Sequence, residues 1–275
     1  MSTVYLGTSA FAAAVLERLA ATPHRPALVV TRPDRPAGRG RVLTPPPVAT
    51  VARELGLEVI QPESVNTDEV TDRIAATGAD AVVVCAFGAI IKDPLLSRLE
   101  MLNVHPSLLP RWRGAAPVER AIMAGDGETG VSIMRVTAGL DSGPVCLAEG
   151  EPIRTDDDYA SLSARLQELG ARLLARVLDE RPPCVEQDEA GATYAEKIGP
   201  EDRTLDPDAP AEVNERIVRA LHPHIGARLP LPDGTFLGVR RARVADDGSL
   251  ELLEVQPPGG RPMPYADYLR GHAAR

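Results

Sequence analysis

The segment MLNVHPSLLPRWRG, residues 101–114, joins a short apolar run to a turn interrupted by prolines. The MLNVH part predicts a strand, and residues two apart on a strand project from the same face, so Asn103 and His105 lie side by side. An amide donor beside an imidazole suits a site where negative charge develops on an oxygen. A strand-to-turn corner with an incidental histidine explains the triplet NVH equally well, so the rest of the chain has to decide.

Short β-rich runs alternate with helical stretches upstream of this segment. The predicted strands cover 3–6, 26–31, 57–60, 80–87 and 101–105, and the predicted helices cover 10–21, 47–55 and 66–77. Such alternation, with nearly continuous apolar strands, predicts an α/β fold with a mostly parallel sheet covered on both faces. Sites in these sheets lie beyond the carboxyl ends of the strands, which is where Asn103 and His105 fall.

The second half of the chain is organised differently. It contains, in chain order, predicted strands at 130–136 and 143–153, a helix over 157–180 that Asp156 to Asp158 can cap, a linker over 183–206 rich in Pro, Gly and acidic residues, a helix over 211–221, and strands at 235–245 and 249–257. We therefore predict one large domain over 1–182 and a small β-rich domain over 207–275.

The composition narrows the class of protein. Of the 275 residues, 44% are hydrophobic and 25% are charged, which is typical of a soluble globular protein. The net charge of −9 argues against a protein that coats nucleic acid generically. Cys85, Cys146 and Cys184 have no paired spacing, which favours a reducing cytosol over a disulfide scaffold or a zinc site. No apolar run is long enough to span a membrane, so we expect a cytoplasmic protein.

One segment is basic, although the chain as a whole is acidic. Residues 32–47 make an unusually long connection between a strand and a helix, and they carry four arginines against the single acidic residue Asp34. Glycines flank Arg39, which leaves its guanidinium free to bind a phosphate with two hydrogen bonds. A solvated loop without a ligand is the alternative interpretation.

Other candidate motifs are weaker. Asp141 lies in AGLDSG (138–143), from which a carboxylate can approach His105 and fix its tautomer, although an Asx-turn explains the motif as well. Gly7 follows the first strand without a G-x-G-x-x-G pattern, so it indicates a tight turn and not dinucleotide binding. The other histidines, at positions 24, 222, 224 and 272, are interpreted as surface or loop residues. The chain has no P-loop and no nucleophile elbow.

Taken together, residues 103–143 are similar to the core of the 10-formyltetrahydrofolate-dependent formyltransferases, because the spacing, the SLLP run and the G-x-D-x-G hairpin agree at once. The resemblance implies a Rossmann-like catalytic domain whose catalytic set is Asn103, His105 and Asp141. It further implies that the folate contacts two segments, through Phe87, Gly88, Ile90, Ile91, Ser107, Leu108, Leu109 and Pro110.

Within this family, the arginine-rich segment resembles the tRNA-contacting insertion of the members that act on methionyl-tRNA. Residues 193–198 and 253–263 resemble the linker and the oligonucleotide-binding-like (OB-like) barrel of those members. The resemblance therefore implies 10-formyltetrahydrofolate as co-substrate, methionyl initiator tRNA as acceptor, and Arg39 and Arg41 at the acceptor end of the tRNA. We expect a monomer without metal. The second domain is compact, and LHPHIGARL (221–229) replaces a run like Pro-Trp-Pro-Gly.

Three alternatives use the same residues. They are a formyltransferase for an amino sugar, a formyltetrahydrofolate hydrolase, and a folate- or tRNA-binding module without activity. The arginine-rich segment argues against the first two, and the intact set of Asn103, His105 and Asp141 argues against the third. An α-amino group has a pKa near 8, so it is partly a free nucleophile at neutral pH and formyl transfer to it needs no covalent enzyme intermediate.

Overall fold

The computed structural model of the chain describes residues 1–38 and 40–272. The strands are, in chain order, β1 Thr3–Gly7, β2 Pro26–Val30, β3 Arg35–Ala37, β4 Val42–Thr44, β5 Val59–Ile60, β6 Ala81–Cys85, β7 Met101–His105, β8 Arg113–Gly114, β9 Glu128–Arg135, β10 Val145–Pro152, β11 Tyr194–Ala195, β12 Ala227–Pro230, β13 Phe236–Val244, β14 Leu250–Gln256 and β15 Met263–Pro264. The α-helices are α1 Ala10–Ala20, α2 Pro47–Glu54, α3 Asp68–Ala75, α4 Leu95–Arg98, α5 Pro117–Ala124, α6 Tyr159–Glu180, α7 Ala211–Leu221 and α8 Tyr265–His272.

Two compact units interleave along the chain. The first unit consists of Met1–Arg113, Gly130–Glu151 and Ala164–Thr193. The second consists of Gly114–Thr129, Pro152–Ser163 and the described residues from Tyr194 onward. The division of the sequence into 1–182, 183–206 and 207–275 stays a prediction.

A seven-stranded sheet forms the centre of the first unit, in the order β10-β9-β7-β6-β1-β2-β5. The pairs β1–β2, β1–β6, β2–β5 and β6–β7 are parallel, whereas β7–β9 is antiparallel. All residues of β1 and β6 are buried, as expected for strands covered on both faces. The prediction of a mostly parallel sheet is therefore confirmed.

The turn from β1 into α1 depends on close packing at Gly7. A Cβ atom at this position would lie 2.7 Å from Cε1 of Tyr5 and 3.2 Å from the carbonyl oxygen of Cys85. Two residues later, the Ser9 side chain caps α1 by accepting a hydrogen bond from the Ala12 amide. Glycine thus allows the tight strand-to-helix turn that the sequence indicates.

The arginine-rich segment contains regular structure that its composition does not reveal. The strands β3 and β4 pair antiparallel, with Arg35 opposite Thr44 and Ala37 opposite Val42. At the base of this pair, Nε2 of Gln61 donates to the Arg32 carbonyl at 2.9 Å and to Oδ1 of Asp34 at 2.7 Å. The length and composition of the segment predict an irregular connection. Instead, the backbone of residues 35–37 pairs with that of residues 42–44 in a β-hairpin.

The interpretation of the cysteines was wrong for two of the three. Cys146 and Cys184 form a disulfide, with their Cα atoms 3.8 Å apart, and Cys85 is a buried free thiol. Val145 and Val185 exchange two backbone hydrogen bonds of 2.8 Å, which places the neighbouring cysteines directly opposite each other. A spacing of 38 residues gives no local signal of this pairing.

The second unit contains a four-stranded antiparallel sheet, β12-β13-β14-β15. Val218 of α7 belongs to a buried apolar cluster with Leu205, Ala227 and Val239. The β13–β14 connection is short, because the Ala245 amide donates directly to the Ser249 carbonyl at 2.9 Å. Among the described residues, no helix has the length and apolar character needed to cross a membrane.

Candidate active site

Asn103 and His105 lie at the carboxyl end of β7, as the sequence predicts. β7 pairs with the parallel β6, with Asn103 opposite Val84, and with the antiparallel β9, with His105 opposite Ser132. His105 is 4% exposed, and Asn103 is half-buried. The strand therefore presents both side chains in a partly desolvated position, where a hydrogen bond to a developing charge is stronger than in water.

The structure brings Asp141 to the same place. Nδ2 of Asn103 donates to Oδ1 of Asp141 at 3.3 Å, and Nδ1 of His105 lies 3.7 Å from Oδ2 of Asp141. Because β9 runs antiparallel to β7, the chain leaves β9 beside Leu102, near the start of β7. The connection to β10 must therefore fold back along the sheet to deliver Asp141, which adopts a left-handed backbone conformation with φ of 44°.

A backbone carbonyl holds the histidine. Nε2 of His105 lies 2.9 Å from the carbonyl oxygen of Trp112, which can only accept, so Nε2 carries the hydrogen. This contact leaves Nδ1 as the nitrogen that faces Asp141. The sequence predicts an orienting contact from Asp141 but gives no signal of the contact with Trp112, since no residue type signals the use of its own main-chain carbonyl.

The turn after β7 is fixed by hydroxyl groups. The Ser107 hydroxyl is fully buried and donates to the Arg111 carbonyl at 2.6 Å. Ser132 donates to the Ser107 carbonyl at 2.8 Å and accepts from the Leu109 amide at 3.1 Å. Leu108, Leu109 and Pro110 are half-buried along this turn. Of the four residues implied to meet the folate here, Ser107 uses its side chain within the turn.

The segment from Phe87 to Ile91, which follows β6, is the second region implied to meet the folate. Its carbonyl groups have side-chain donors: Thr8 binds the Phe87 carbonyl at 2.7 Å, Arg32 the Gly88 carbonyl at 2.7 Å, and Asn66 the Ile90 carbonyl at 2.8 Å. Ile90 is 74% exposed, whereas Phe87 is buried and Ile91 packs against the core. A shaped backbone with an exposed apolar side chain is thus present at this edge.

The structure describes one of the two arginines assigned to tRNA. Arg41 is exposed, with φ of 47°. Arg39 lies outside the described residues. Beside Arg41, Val42 and Leu43 are 67% and 64% exposed, so apolar and cationic side chains occur together on the β3–β4 hairpin.

Burial raises the pKa of two groups on neighbouring strands, Cys85 at the end of β6 and Tyr5 on β1. Burial raises the pKa of the Cys85 thiol to about 12, and it also raises the pKa of Tyr5 well above its ordinary value. The Tyr5 hydroxyl donates to the Ala12 carbonyl at 2.7 Å. Cys85 therefore stays protonated at neutral pH and is not a nucleophile. No group of His, Cys, Asp and Glu side chains within the described residues could hold a metal ion.

Comparison with known proteins identifies the family. A family model described as formyl transferase matches residues 1–178. The methionyl-tRNA formyltransferase of Dechloromonas aromatica is 41% identical over 99% of the chain and 96% of its own length, and that of Methylococcus capsulatus is 42% identical over 99% and 97%. The chain belongs to the methionyl-tRNA formyltransferase family.

Two solved structures share the fold. The methionyl-tRNA formyltransferase of Clostridium thermocellum superposes with a TM-score of 0.65 at 16% identity, over 93% of the chain and 98% of that protein. HypX from Aquifex aeolicus in complex with tetrahydrofolic acid gives a TM-score of 0.64 at 16% identity, over 97% of the chain and 46% of HypX. These similarities confirm the Rossmann-like sheet of the formyltransferase fold.

Proposed function

We propose that the chain transfers the formyl group of 10-formyltetrahydrofolate to the α-amino group of methionyl initiator tRNA, as the names of its relatives suggest. The observation that carries the proposal is the meeting of Asn103, His105 and Asp141 at the carboxyl edge of the sheet. An amide donor, an imidazole and a carboxylate are together sufficient for direct acyl transfer between two nitrogens.

The reaction begins with attack by the unprotonated α-amino nitrogen on the formyl carbon. A carbon–nitrogen bond forms, and the formyl oxygen becomes the oxyanion of a tetrahedral intermediate. The bond from this carbon to N10 of the folate then breaks, and N10 takes up a proton as it leaves. One proton thus moves from the attacking nitrogen to the leaving nitrogen, and no other group is consumed.

The three residues divide this work. Nδ2 of Asn103 donates to the oxyanion. Because the Trp112 carbonyl holds Nε2 of His105, the imidazole presents Nδ1 to the reacting atoms. Asp141 lies within 3.7 Å of this nitrogen, orients the imidazole, and relays the proton from the amine to N10. Losing one donor to such an oxyanion costs about 3 kcal/mol, or roughly a hundredfold in rate.

The folate is bound beside this set, between the Phe87–Ile91 segment and residues 107–110. The exposed Ile90 and the 60% exposed Leu140, next to Asp141 in sequence, supply apolar surface for the flat ring system. Hydrogen bonds hold the backbone of both segments before any ligand arrives, which reduces the entropy lost on binding.

The tRNA is bound by the arginine-rich hairpin through Arg39 and Arg41, and by the C-terminal region, which we assign as an OB-like domain over 207–275. Salt dependence should reveal these contacts, because phosphate binding releases counterions. The protein acts as a monomer in the cytoplasm, with a catalytic domain over 1–182 and a linker over 183–206.

The test is an acceptor assay. The protein is incubated with 10-formyltetrahydrofolate and methionyl initiator tRNA, an amino sugar nucleotide, or water alone, and the position of the formyl group is determined. We expect formyl-methionyl-tRNA, with a rate that falls as salt is added. Formyl found only on the sugar or only as formate overturns the proposal.

A variant tests the hairpin separately. Arg39→Ala should raise the KM for tRNA more than the KM for the folate, because the guanidinium is assigned to a phosphate. The matched control is Arg176→Ala, which removes an exposed guanidinium from an i,i+4 ion pair with Glu180 on α6. Equal tRNA kinetics in Arg39→Ala and the native protein would disprove the role of the hairpin.

A further inference from the structure

Arg113 is a buried cation close to the candidate active site. It follows Trp112 in sequence and is 2% exposed, and burying an uncompensated guanidinium is costly. Its Nη1 and Nη2 donate to the carboxylate of Glu189 at 2.9 and 2.7 Å, and its Nε and Nη2 donate to Oε1 of Gln187 at 3.0 and 2.9 Å. Glu189 therefore neutralises the charge of the guanidinium, while Gln187 accepts the hydrogen bonds from its Nε edge.

Gln187 uses its whole hydrogen-bonding capacity. Besides accepting twice from Arg113, its Nε2 donates to the Asp141 carbonyl at 2.8 Å and to the Gly143 carbonyl at 2.7 Å. A guanidinium only donates and a carbonyl only accepts, so the orientation of the amide is unambiguous. Because all four hydrogen-bonding sites of its amide are occupied, the Gln187 side chain is held in one conformation. We call it a strut, because it links Arg113 to the backbone of the loop that carries Asp141.

The strut binds the loop at Asp141 and Gly143, where the backbone conformation is constrained. Asp141 has φ of 44°, which is uncommon for a residue other than glycine, and such backbone persists only when the surroundings hold it. At Gly143, a Cβ would lie 2.0 Å from the Arg135 carbonyl oxygen, so the loop closes tightly against β9. Gln187 binds the carbonyls of these two residues and so spans the turn that carries the carboxylate.

The other end of the strut binds Arg113, which is the next residue after the Trp112 carbonyl that holds His105. The Trp112 carbonyl accepts from His105, and the amides of Trp112 and Arg113 are bound by the Thr193 hydroxyl and the Thr193 carbonyl, each at 2.9 Å. The link Arg113–Gln187 therefore connects the backbone that fixes His105 with the backbone that fixes Asp141. Those two side chains approach each other at 3.7 Å.

We propose that Gln187 is a positioning residue that sets the placement of the Asp141 carboxylate relative to His105; this inference rests on the proposed function of that pair. A misplacement on the order of 1 Å in a reacting group can cost about a hundredfold in rate. Gln187 does not touch the reactants, and its effect passes through Asp141.

The decisive variant is Gln187→Glu, which is isosteric and still accepts from Arg113. It replaces the donor to the Asp141 and Gly143 carbonyls by an oxygen that repels them. We expect kcat to fall about ten- to a hundredfold, with the KM for the folate within about twofold of the native value. A second variant, Gln187→Met, removes both ends of the strut without adding charge and should lower kcat in the same direction if Gln187→Glu does not fold.

The chain offers a matched control. Gln167 lies on α6, to which no catalytic or binding role is assigned. Gln167→Glu makes the same chemical change, from an amide to a carboxylate, within the first unit. Its kcat at saturating substrates should equal that of the native protein.

A double variant separates positioning from general loss of structure. In single-turnover measurements with enzyme in excess, Gln187→Glu should cause no further loss in an Asp141→Asn background, because its effect acts through that carboxylate. An equal loss in both backgrounds, or a native kcat in Gln187→Glu alone, overturns the inference. A native kcat in Asp141→Asn overturns the proposed function of the pair, a result that the single Gln187 variant cannot imitate.

Discussion

Two histidine–carboxylate pairs lie at opposite edges of the same sheet, and only one has the geometry of a reactive site. His105 is the last residue of β7, at the carboxyl edge, and His24 precedes β2, at the amino edge. Both are buried, at 4% and 3% exposure. Nε2 of His24 lies 2.8 Å from Oδ1 of Asp179 and its Nδ1 lies 3.1 Å from the Met1 nitrogen, whereas Nδ1 of His105 stands 3.7 Å from Asp141.

The two histidines differ in how closely the partners of their ring nitrogens approach. Both nitrogens of His24 have close partners, and its backbone carbonyl accepts from the Thr3 hydroxyl at 2.7 Å, so the residue joins three parts of the chain. His105 is held at one nitrogen by the Trp112 carbonyl, while the other faces a carboxylate beyond hydrogen-bond distance. A histidine held closely at both nitrogens stabilises the fold, whereas the proposed role of His105 uses the nitrogen that the Trp112 carbonyl does not hold.

A cavity alone would point to the wrong edge. A cavity of about 240 Å³ lies at the amino edge, where its lining includes Asp80, Glu100, Arg135 and the Cys146–Cys184 disulfide. Nε of Arg135 forms an ion pair with Oε1 of Glu100 at 3.1 Å, so these charges are partly neutralised within the wall. The proposed catalytic set of Asn103, His105 and Asp141 lies at the carboxyl edge, and our proposal gives convergent donors and acceptors more weight than cavity volume.

The largest expected effect separates the two histidines in catalysis. His105→Gln removes the imidazole at the carboxyl edge, and we expect kcat to fall at least about a hundredfold, since a proposed donor to the oxyanion is lost. The measurement is formylation of methionyl initiator tRNA at saturating substrates. His24→Gln, the same substitution at the amino edge, is the control and should keep kcat within about twofold. A smaller loss in His105→Gln than in His24→Gln would reverse the comparison.

The contrast between the edges was only partly visible in the sequence. The period-2 pattern of MLNVH and the alternation of strands and helices placed Asn103 and His105 correctly, because strand direction alone determines which edge they occupy. His24, predicted to be a surface or loop residue, lies in a turn but is buried, because its burial depends on contacts with Asp179 and Met1 that are distant in sequence. The roles of Trp112 and Gln187 rest on backbone carbonyls, for which residue type carries no signal.

The next effect in size concerns the disulfide at the amino edge. Reduction, or Cys184→Ser, should lower the free energy of unfolding by roughly 2–4 kcal/mol, because the bond closes a loop of the unfolded chain. The bond joins residues 38 apart. Activity of the reduced protein should stay near the native value, since the disulfide lies at the amino edge and the proposed catalytic set at the carboxyl edge. Denaturant unfolding with and without reductant measures the first quantity, and a loss of kcat on reduction would contradict the structural role.

Thiol labelling checks the same assignment. In the native protein without reductant, iodoacetamide at pH 8 should modify no cysteine, because two are bonded and the pKa of Cys85 is raised to about 12 by burial. After reduction under native conditions, the half-buried Cys184 becomes available, whereas the buried Cys85 stays unreactive. Since a raised pKa keeps the thiol protonated below that value, Cys85 should react only after unfolding; rapid labelling of native Cys85 would contradict its burial.

The smallest expected effect returns to His24. A buried hydrogen bond that loses one partner costs about 1–3 kcal/mol, so His24→Gln should lower the free energy of unfolding within that range while the catalytic edge is unaffected. Asp179 is 66% exposed and can be solvated when its partner is removed, which places the expected loss toward the lower end. Asp179→Asn should therefore destabilise the protein less than His24→Gln, as measured by denaturant unfolding. If Asp179→Asn were the more destabilising, the buried contact of His24 with the Met1 nitrogen would contribute little, and the amino-edge pair would depend on its exposed carboxylate.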